Sequence, residues 1–393
     1  MRYLTAGESH GRALVGIIEG IPAGLALDAA YLHRQAKRRK LGFGRGNRQN
    51  IETDAIEILA GVRFGRTLGS PIALMIENRD WRAWSEIMAV EPLSAEAEAN
   101  MRRVVTVPRP GHADRIGGIK YAHGDMRNVL ERASARETAA RVALGSVARR
   151  FLEELGIRVA SRVVQIGEIV DRSSFDAIPF EENELERIDA SPVRALDETA
   201  AAQMVAAIER AKAAGDTLGG IVEVVARGLP VGLGSYAHWD RRLEAEIARA
   251  FMALNAIKGV ELGLGFGLAA TPGSSAHDAF YPGDGAAKTV YRTNRAGGID
   301  GGMTSGQPIV VRAAMKPLAT LMKPLDSVDL GTGEAKSAHV ERSDVCAVPA
   351  AAVIGESLLA LVLAAAVLEK FGGDTLDEIA ERVRGWDATV RAR

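Results

Sequence analysis

The first residues with a capacity for chemistry lie close to the N-terminus. Glu8, Ser9 and His10 stand side by side between Gly7 and Gly11. A serine beside a histidine is compatible with nucleophilic acyl transfer, as in a hydrolase. An imidazole also donates or accepts a proton near neutral pH, so His10 is equally a candidate general acid.

Arginines gather in a glycine-rich segment soon afterwards. The segment KRRKLGFGRGNRQ runs from Lys37 to Gln49 and contains Arg39, Arg45 and Arg48. Glycines let a backbone approach a ligand closely, and a guanidinium binds a phosphate or carboxylate through paired hydrogen bonds. The segment therefore predicts an anion site, with a solvated basic surface or a nucleic-acid patch as the alternatives.

Two further segments repeat this combination of residues. In TVPRPGHADRIGGIKY, which starts at Thr106, Arg109 and His112 lie in a Pro–Gly loop rather than on an apolar helix face. Downstream, Ser134 and Glu137 have the spacing of a capping box and predict a helix start, where free N–H groups attract anions. A surface histidine and an ordinary helix cap are the alternatives.

The C-terminal half carries three candidate segments. They are GGIDGGMTSGQP (297–308), MKPLAT (315–320) and ERSDVCAVPA (341–350). Arg342 and Asp344 share a face if the last segment is extended. Asp344 is a candidate functional carboxylate, a helix cap or an arginine partner. The arginines and histidines of these segments gather in glycine-rich loops, without a P-loop, a Rossmann fingerprint or a metal-ligand cluster. The set therefore suits a small polyanionic substrate, to which a phosphorylated cofactor could be added.

Helices and strands must position these residues. Apolar residues follow the Ser134 cap at helical spacing as far as Phe151, and Gly156 is a plausible stop. Further helices are predicted from Glu198 to Ala214 and from Asp240 to Ile257. The run from Leu358 to Leu368 is too short to cross a bilayer, which takes about 20 residues, so a buried core helix is predicted.

Strand-like runs suggest an internal repeat. They begin at Thr67, Thr217 and Thr304, and the first and third share the pattern Thr-x-Gly-x-Pro-Ile. The pattern indicates either a repeated supersecondary unit or a common turn-then-strand arrangement. We predict an α+β fold with substantial antiparallel sheet.

Composition narrows the class of protein. The 393 residues are 47% hydrophobic, carry a net charge of −1 and show no linker, so we predict a single domain over residues 1–393. The balanced charge argues against nucleic-acid binding. Cys346 is the single cysteine, which excludes an internal disulfide and favours a reducing compartment. No apolar run predicts a signal peptide or a membrane span, and we expect a cytoplasmic protein.

The segments considered together resemble one known family. GESHGRALVGIIEGIP from Gly7, ERASARETAARVALGS from Glu131 and RSDVCAVPAAAVIGESL from Arg342 resemble the three signature regions of chorismate synthases. RRKLGFGRG and RPGHAD also match that family's pattern. The five matches occur in the family's order along essentially the whole chain.

The resemblance implies a reaction that composition could not reveal. Chorismate synthases are lyases that convert 5-enolpyruvylshikimate 3-phosphate to chorismate and phosphate by a 1,4-anti elimination. They require reduced FMN without net redox change. The resemblance further implies a β-α-β sandwich with pseudo-duplicated halves, a homotetramer, and an external flavin reductase, with NADPH serving only to reduce the flavin.

Roles follow from the resemblance position by position. His10 corresponds to the acid that protonates the departing phosphate, His112 to the group that stabilises reduced flavin, and Asp344 to the aspartate that assists proton removal. Substrate contacts correspond to Ser9, Arg39, Arg45, Arg48, Arg109, Ser134, Arg136 and Arg342. Flavin contacts correspond to Arg132, Ala133, Ser134, Asn255, Ala256, Gly301, Lys316, Pro317, Leu318, Ala319, Thr320 and Arg342. Arg39 and Arg45 also match NADP positions, although substrate binding is the preferred role.

Three other functions compete with this interpretation. The same loops would suit a flavin- or NADPH-dependent oxidoreductase, which would consume NADPH with each turnover. A nucleic-acid-binding module would use the segment from Lys37 to Arg48. A Ser–His hydrolase would depend entirely on Ser9.

Overall fold

Two antiparallel sheets face each other across two long helices. The computed structural model describes residues 1–46, 51–96, 101, 103–174, 176, 180, 182–283, 288–341 and 343–392. In spatial order, the first sheet consists of β1 (Arg2–Ala6), β2 (Ala13–Glu19), β6 (Ile72–Glu77) and β3 (Ile56–Ala60). The second consists of β10 (Ile257–Leu262), β15 (Ile309–Met315), β9 (Gly220–Arg227), β7 (Arg158–Ile166) and β8 (Ile169–Val170).

Short hairpins and helices complete the described chain. The hairpins pair β4 (Val62–Arg63) with β5 (Arg66–Thr67), β11 (Phe280–Pro282) with β12 (Thr289–Tyr291), β13 (Ile299–Asp300) with β14 (Met303–Thr304), and β16 (Asp326–Val328) with β17 (Ala335–Ser337). The helices are α1 (Ala29–Lys40), α2 (Asp114–Tyr121), α3 (Arg127–Ala133), α4 (Thr138–Glu154), α5 (Glu182–Ala190), α6 (Glu198–Ala213), α7 (Leu243–Met252), α8 (Gly273–Ala276), α9 (Val348–Phe371) and α10 (Leu376–Ala392). Single 3-10 turns cover Arg79–Ala83, Ala135–Glu137, Trp239–Arg241 and Gly265–Ala270.

The two long helices form the middle of the sandwich. Helix α4 packs on β2 and β6, helix α9 packs on β7 and β9, and the two helices pack against each other. Gly145 makes this close approach possible, because a Cβ atom there would lie 2.4 Å from the Cβ of Ser357. Buried apolar side chains from both sheets and both helices form one continuous core, which matches the expected β-α-β sandwich.

The halves share one topology. Four strands of each half can be numbered by their order along the chain. In both sheets they lie side by side in the order first, second, fourth, third, which is β1-β2-β6-β3 in the first sheet and β7-β9-β15-β10 in the second. A long buried helix follows each set, α4 in the first half and α9 in the second. The strand order therefore supports the interpretation as a pseudo-duplication.

The hydrogen bonds of Thr67 and Thr304, the first residues of the two matching runs, also support the pseudo-duplication. Thr67 Oγ1 donates to Pro22 O and accepts from Leu25 N. In the same way, Thr304 Oγ1 donates to Pro230 O and accepts from Leu233 N. The two Thr-x-Gly-x-Pro-Ile runs thus lead into equivalent strands, β6 and β15, whereas the run at Thr217 leads into β9.

The predicted core helix is confirmed, but the helix is longer than the run from Leu358 to Leu368, so its length does not exclude a membrane span as expected. Helix α9 is long and apolar enough to cross a membrane by length and composition, but 83% of its most hydrophobic window is buried inside this protein. Helix α6 matches the prediction from Glu198, and Gly156 ends the segment after α4 with a φ of 80°.

Two other helix predictions need correction. The helix predicted from Asp240 to Ile257 covers only Leu243–Met252, because Ile257 already pairs with Met315 in the second sheet. The capping box at Ser134 and Glu137 does not form as predicted. Ser134 Oγ accepts from Arg136 N of a 3-10 turn, and Glu137 binds Thr5 and Arg141 instead.

Candidate active site

Loops from both halves line one cavity, which brings together most of the predicted site residues. Its lining includes Ser9, His10, Arg39, Arg45, Arg109, His112, Ser134, Arg136, Asn255, Ala256, Leu318, Ala319, Thr320 and Asp344. The polar members come from the β1–β2 loop, the end of α1 and the loop after it, the loop before α2, the turn before α4, the α7–β10 connection, the segment after β15 and the segment before α9. Convergence of these distant segments marks the cavity as the candidate active site.

His10 is held rigidly at one wall of the cavity. Its Nδ1 lies 2.9 and 3.0 Å from the two carboxylate oxygens of Glu131, and its backbone N–H donates to the same carboxylate at 2.7 Å. The ring stacks on Trp84 with 3.9 Å between centroids. Since Nδ1 is engaged, Nε2 is the ring nitrogen left for a ligand, with Asp80 Oδ2 at 3.8 Å.

The loop that carries His10 is shaped by backbone contacts. Gly7 has a φ of 107°, and a Cβ atom there would lie 2.3 Å from Ala13 O. Asn78 Nδ2 donates to Gly11 O at 2.7 Å and to Glu8 O at 3.1 Å, and Ser9 N donates to Glu131 O at 3.0 Å. The glycines therefore permit a tight turn that is fixed to neighbouring elements.

His112 has a comparable environment on another wall. Its Nδ1 lies 2.5 Å from Asp114 Oδ1 and 3.0 Å from Arg109 Nη2, so this nitrogen is engaged and Nε2 remains for a ligand. Burial by itself would raise the pKa of Asp114, but hydrogen bonds from His112 and Arg109 hold it well below its usual range. Arg109 Nε donates to Asp114 at 2.8 Å, and Nη1 donates to Thr320 Oγ1 at 2.9 Å.

Arg39 and Arg136 share one buried carboxylate. Arg39 Nη2 donates to Asp54 Oδ2 at 2.7 Å, and Arg136 Nη1 donates to the other oxygen, Oδ1. Arg136 also contacts Asn78 Oδ1 at 3.0 Å and Glu52 Oε2 at 3.4 Å. Burial would raise the pKa of Asp54, but the two guanidinium groups hold it well below its usual range. The carboxylate is therefore charged and fixes both arginines.

Arg45 and Asp344 form an ion pair at the cavity. Arg45 Nη1 lies 2.9 Å from Asp344 Oδ2, and Gly46 N donates to Oδ1 at 2.7 Å. Arg45 is fixed in turn because Gly44 O accepts from Val345 N at 2.8 Å. The arginine-rich loop and the segment before α9 thus act as one structural unit.

The cavity suits a planar cofactor that carries a phosphate. Apolar side chains line it alongside the cations, among them Leu254, Met315, Leu318, Ala350 and Ile354. Among the described residues, Arg39 Nε and Arg45 Nε are buried without a hydrogen-bond partner. An anionic ligand in the cavity would supply acceptors for these two guanidinium groups.

The remaining predicted residues lie at the margin of the cavity or away from it. Arg132 donates to Gly7 O and Thr5 O, Ala133 O accepts from Asn255 Nδ2, and Lys316 Nζ donates to Gly111 O. Gly301 is exposed in the turn between β13 and β14 and is not among the lining residues, nor is Pro317. Arg48 and Arg342 lie outside the described residues. The predicted contacts of all these residues with ligands stay predictions.

Sequence reasoning missed the acidic partners of the site. Glu131 holds His10, Asp114 holds His112, and Asp54 holds two arginines. Glu131 is the first residue of the second signature segment, and Asp114 is the last residue of RPGHAD. Their positions inside these motifs were the only sequence feature that could have indicated a role for them. Asp54 has a left-handed φ of 52°, which no feature of the sequence indicates.

The nucleic-acid alternative receives no support from this geometry. Arg39 is 4% exposed, and Arg38 is paired with Glu356 and Asp189, so the described part of this segment, residues 37–46, is not an open basic surface. Within the part of the chain that the structure describes, no group of three or more His, Cys, Asp or Glu side chains could hold a metal ion.

Comparisons with known proteins agree with the geometry. The family model described as chorismate synthase matches residues 1–368. Over 385 residues, the chain is 55% identical to chorismate synthase 1 of Bacillus cereus, covering 98% of this chain and 97% of the relative. Chorismate synthase of a Geobacillus species is 54% identical with the same coverage. A solved structure titled "Crystal Structure of Chorismate Synthase" matches with a TM-score of 0.79 and 40% identity, covering 100% of this chain and 98% of the other.

Proposed function

Because the chain belongs to the chorismate synthase family, we propose that this cavity is its active site and that His10, His112 and Asp344 are the proton-handling groups. The enzyme converts 5-enolpyruvylshikimate 3-phosphate to chorismate and phosphate, in the shikimate pathway of aromatic amino acid biosynthesis. It is a lyase that breaks a carbon–oxygen bond to phosphate.

One observation supports the assignment of the two histidines. Both line the same cavity, and each is engaged at Nδ1 by a buried carboxylate, Glu131 for His10 and Asp114 for His112. Each ring therefore presents Nε2 to a ligand, as a proton donor or acceptor requires. His10 protonates the departing phosphate, and His112 stabilises the negative charge of the reduced cofactor.

Arginines bind the anionic groups of the substrate. The substrate carries two carboxylates and a phosphate, and Arg39, Arg45, Arg109 and Arg136 meet in the cavity. Ser9 and Ser134 add hydrogen-bond donors, and Arg48 and Arg342 extend the set. Guanidinium groups fixed by buried carboxylates bind such anions with little loss of side-chain freedom.

Enzymes of this family use reduced FMN, which supplies electron density to the elimination when bound. Residues Arg132, Ala133, Ser134, Asn255, Ala256, Gly301, Lys316 to Thr320 and Arg342 would hold it. Asp344, which lies 2.9 Å from Arg45 Nη1, assists removal of the substrate proton. Arg39 and Arg45 serve the substrate rather than NADP, and NADPH acts only as a source of electrons for free FMN.

The proposal also covers the domain organisation of the enzyme, its assembly, its location and its source of reduced FMN. Residues 1–393 form a single domain, which the continuous core supports. The protein assembles as a homotetramer, acts in the cytoplasm and receives reduced FMN from an external flavin reductase. It binds neither nucleic acid nor a membrane.

Separating the roles of the histidines tests the assignment. Under anaerobic conditions, His112→Ala should weaken the binding of reduced FMN, measured by titration. His10→Ala should leave that affinity within about two-fold and slow turnover by about 10²-fold or more, the scale of lost general acid catalysis. An unchanged turnover in His10→Ala, or an unchanged FMN affinity in His112→Ala, would contradict the assignment.

A further inference from the structure

We propose that Glu131 is a positioning residue for His10: it keeps a proton on Nδ1 and stabilises the protonated ring, so that Nε2 can deliver a proton. The inference deepens the function proposed above and rests on the role of His10 as the acid. Glu131 does not line the cavity, and its action passes entirely through the histidine.

The geometry leaves the histidine little freedom. The Glu131 carboxylate accepts from the side chain of His10 through both oxygens and from its backbone N–H. The Glu131 main-chain oxygen accepts from Ser9 N at 3.0 Å. Trp84 stacks on the ring and prevents it from turning over. Glu131, a residue of α3, thus fixes both the loop that carries Ser9 and His10 and the imidazole ring of His10.

The electrostatics keep Glu131 ionised. It is 1% exposed, and burial alone would raise its pKa, but the hydrogen bonds from His10 lower the pKa below its usual value. Arg127 Nη1 adds a charge-assisted bond at 3.1 Å, and its Nη2 reaches Glu341 at the same distance. An ionised carboxylate can only accept, so Nδ1 must donate.

Other charged groups face the ring more weakly. Asp80 Oδ2 lies 3.8 Å from Nε2, beyond a direct hydrogen bond. Arg127 and Arg103 lie over the Trp84 ring on which His10 stacks, with 5.0 and 4.1 Å from guanidinium carbon to ring centroid. Glu131 is therefore the charge in direct contact with the imidazole.

The proton balance is simple. As the carbon–oxygen bond to phosphate breaks, its electron pair leaves with the phosphate, and the proton on Nε2 passes to a phosphate oxygen. The ring becomes neutral and keeps the proton on Nδ1, still donated to Glu131. A ring in the other tautomer would turn an unprotonated nitrogen toward Glu131 and lose this bond.

The test compares Glu131→Gln and Glu131→Asp with a matched control. Glu131→Gln should lower kcat by roughly 10²- to 10⁴-fold, the range spanned by lost acid catalysis and a wrong tautomer. It should also move the alkaline limb of the pH profile of kcat/KM to lower pH by about one unit or more, because an opposite charge is lost. Glu131→Asp keeps the charge and should recover at least part of the rate.

Glu137→Gln is the control. Glu137 is also a buried carboxylate of the same region, 6% exposed, but it binds Thr5 and Arg141 rather than a histidine. Its removal should leave the pH profile unchanged. If Glu131→Gln also keeps the wild-type pH profile, or if Glu137→Gln shifts it equally, the positioning role is refuted.

Nitrogen-15 NMR of labelled histidines in the folded, ligand-free protein separates this inference from the function. The His10 signals, identified by their loss in His10→Asn, should show a protonated Nδ1 in wild type and a changed pattern in Glu131→Gln. An unchanged pattern overturns the inference. If His10→Ala has wild-type turnover, the proposed acid is wrong, and the NMR pattern still decides whether Glu131 positions the ring.

Discussion

Replacing Asp54 by asparagine tests whether a buried charge holds two of the proposed substrate-binding arginines. Asp54 is 1% exposed and contacts Arg39 and Arg136, which are 4% and 8% exposed. Asp54→Asn keeps the shape of the side chain and removes its charge. Two buried cations then remain with weaker partners, Thr138 at 3.3 Å for Arg39 and Glu52 at 3.4 Å for Arg136.

The cost can be estimated from this geometry. Breaking a buried ion pair by removing one partner costs about 3–5 kcal/mol. The remaining contacts of Arg136 favour the lower end, about 3 kcal/mol. At roughly 2 cal/mol/K of unfolding entropy per residue, a chain of 393 residues should then lose about 4 °C in Tm.

Anionic ligands should restore part of this loss. In Asp54→Asn, phosphate or substrate supplies the negative charge that the two arginines lack, so ligand should raise Tm more in the variant than in wild type. Asp189→Asn is the matched control, because Asp189 also binds two arginines, Arg38 and Arg194, outside the cavity.

Differential scanning calorimetry with and without substrate measures both effects. Asp189→Asn should lose stability without any increase in the ligand-induced shift. The reasoning is refuted if Asp54→Asn has the wild-type Tm, or if substrate raises the Tm of both variants by the same amount as that of wild type.

Three more predictions follow from the same structure. Burial raises the pKa of the Cys346 thiol to about 11, so native protein should resist thiol reagents at pH 8 and react only when unfolded; rapid native labelling would contradict this. Glu341 is partly buried, which opposes ionisation, but His339 and Arg127 lower its pKa to about 2. Its stabilising contribution is present above the unfolded pKa of about 4.3 and is lost as pH falls toward about 2, so urea unfolding of Glu341→Gln should show a smaller loss of stability between pH 5 and pH 2 than wild type, and equal losses would contradict the assignment. FMN should bind more tightly when substrate is present, because substrate traps the flavin in a closed site, and equal affinities in a titration would argue against this.

Short sequence patterns predicted those parts of the fold that a short segment of the chain determines by itself. The shared Thr-x-Gly-x-Pro-Ile runs indicated a repeat because each threonine makes the same hydrogen bonds in its own half. The apolar run from Leu358 predicted a buried helix because such a run must leave water. Predictions were wrong where a distant segment competes for the same residues. Sheet pairing at Ile257 ended the predicted helix, and the side chain of Glu137 binds Thr5 of β1, 132 residues away, instead of completing the cap.

The same limit applies to the site. The motifs located the histidines and arginines, because glycine-rich loops and cations mark an anion site without reference to the rest of the chain. Their acidic partners came from elsewhere: Glu131 is 121 residues from His10, and Asp54 is 82 residues from Arg136. Only the folded topology brings such residues together.

The most direct test of the central claim is an anaerobic assay with 5-enolpyruvylshikimate 3-phosphate and chemically reduced FMN, which follows chorismate, phosphate and the flavin spectrum together. We expect chorismate and phosphate in equal amounts over many turnovers, with the flavin still reduced at the end. Oxidation of one flavin per product formed, or no product from folded protein that binds FMN, would contradict the account.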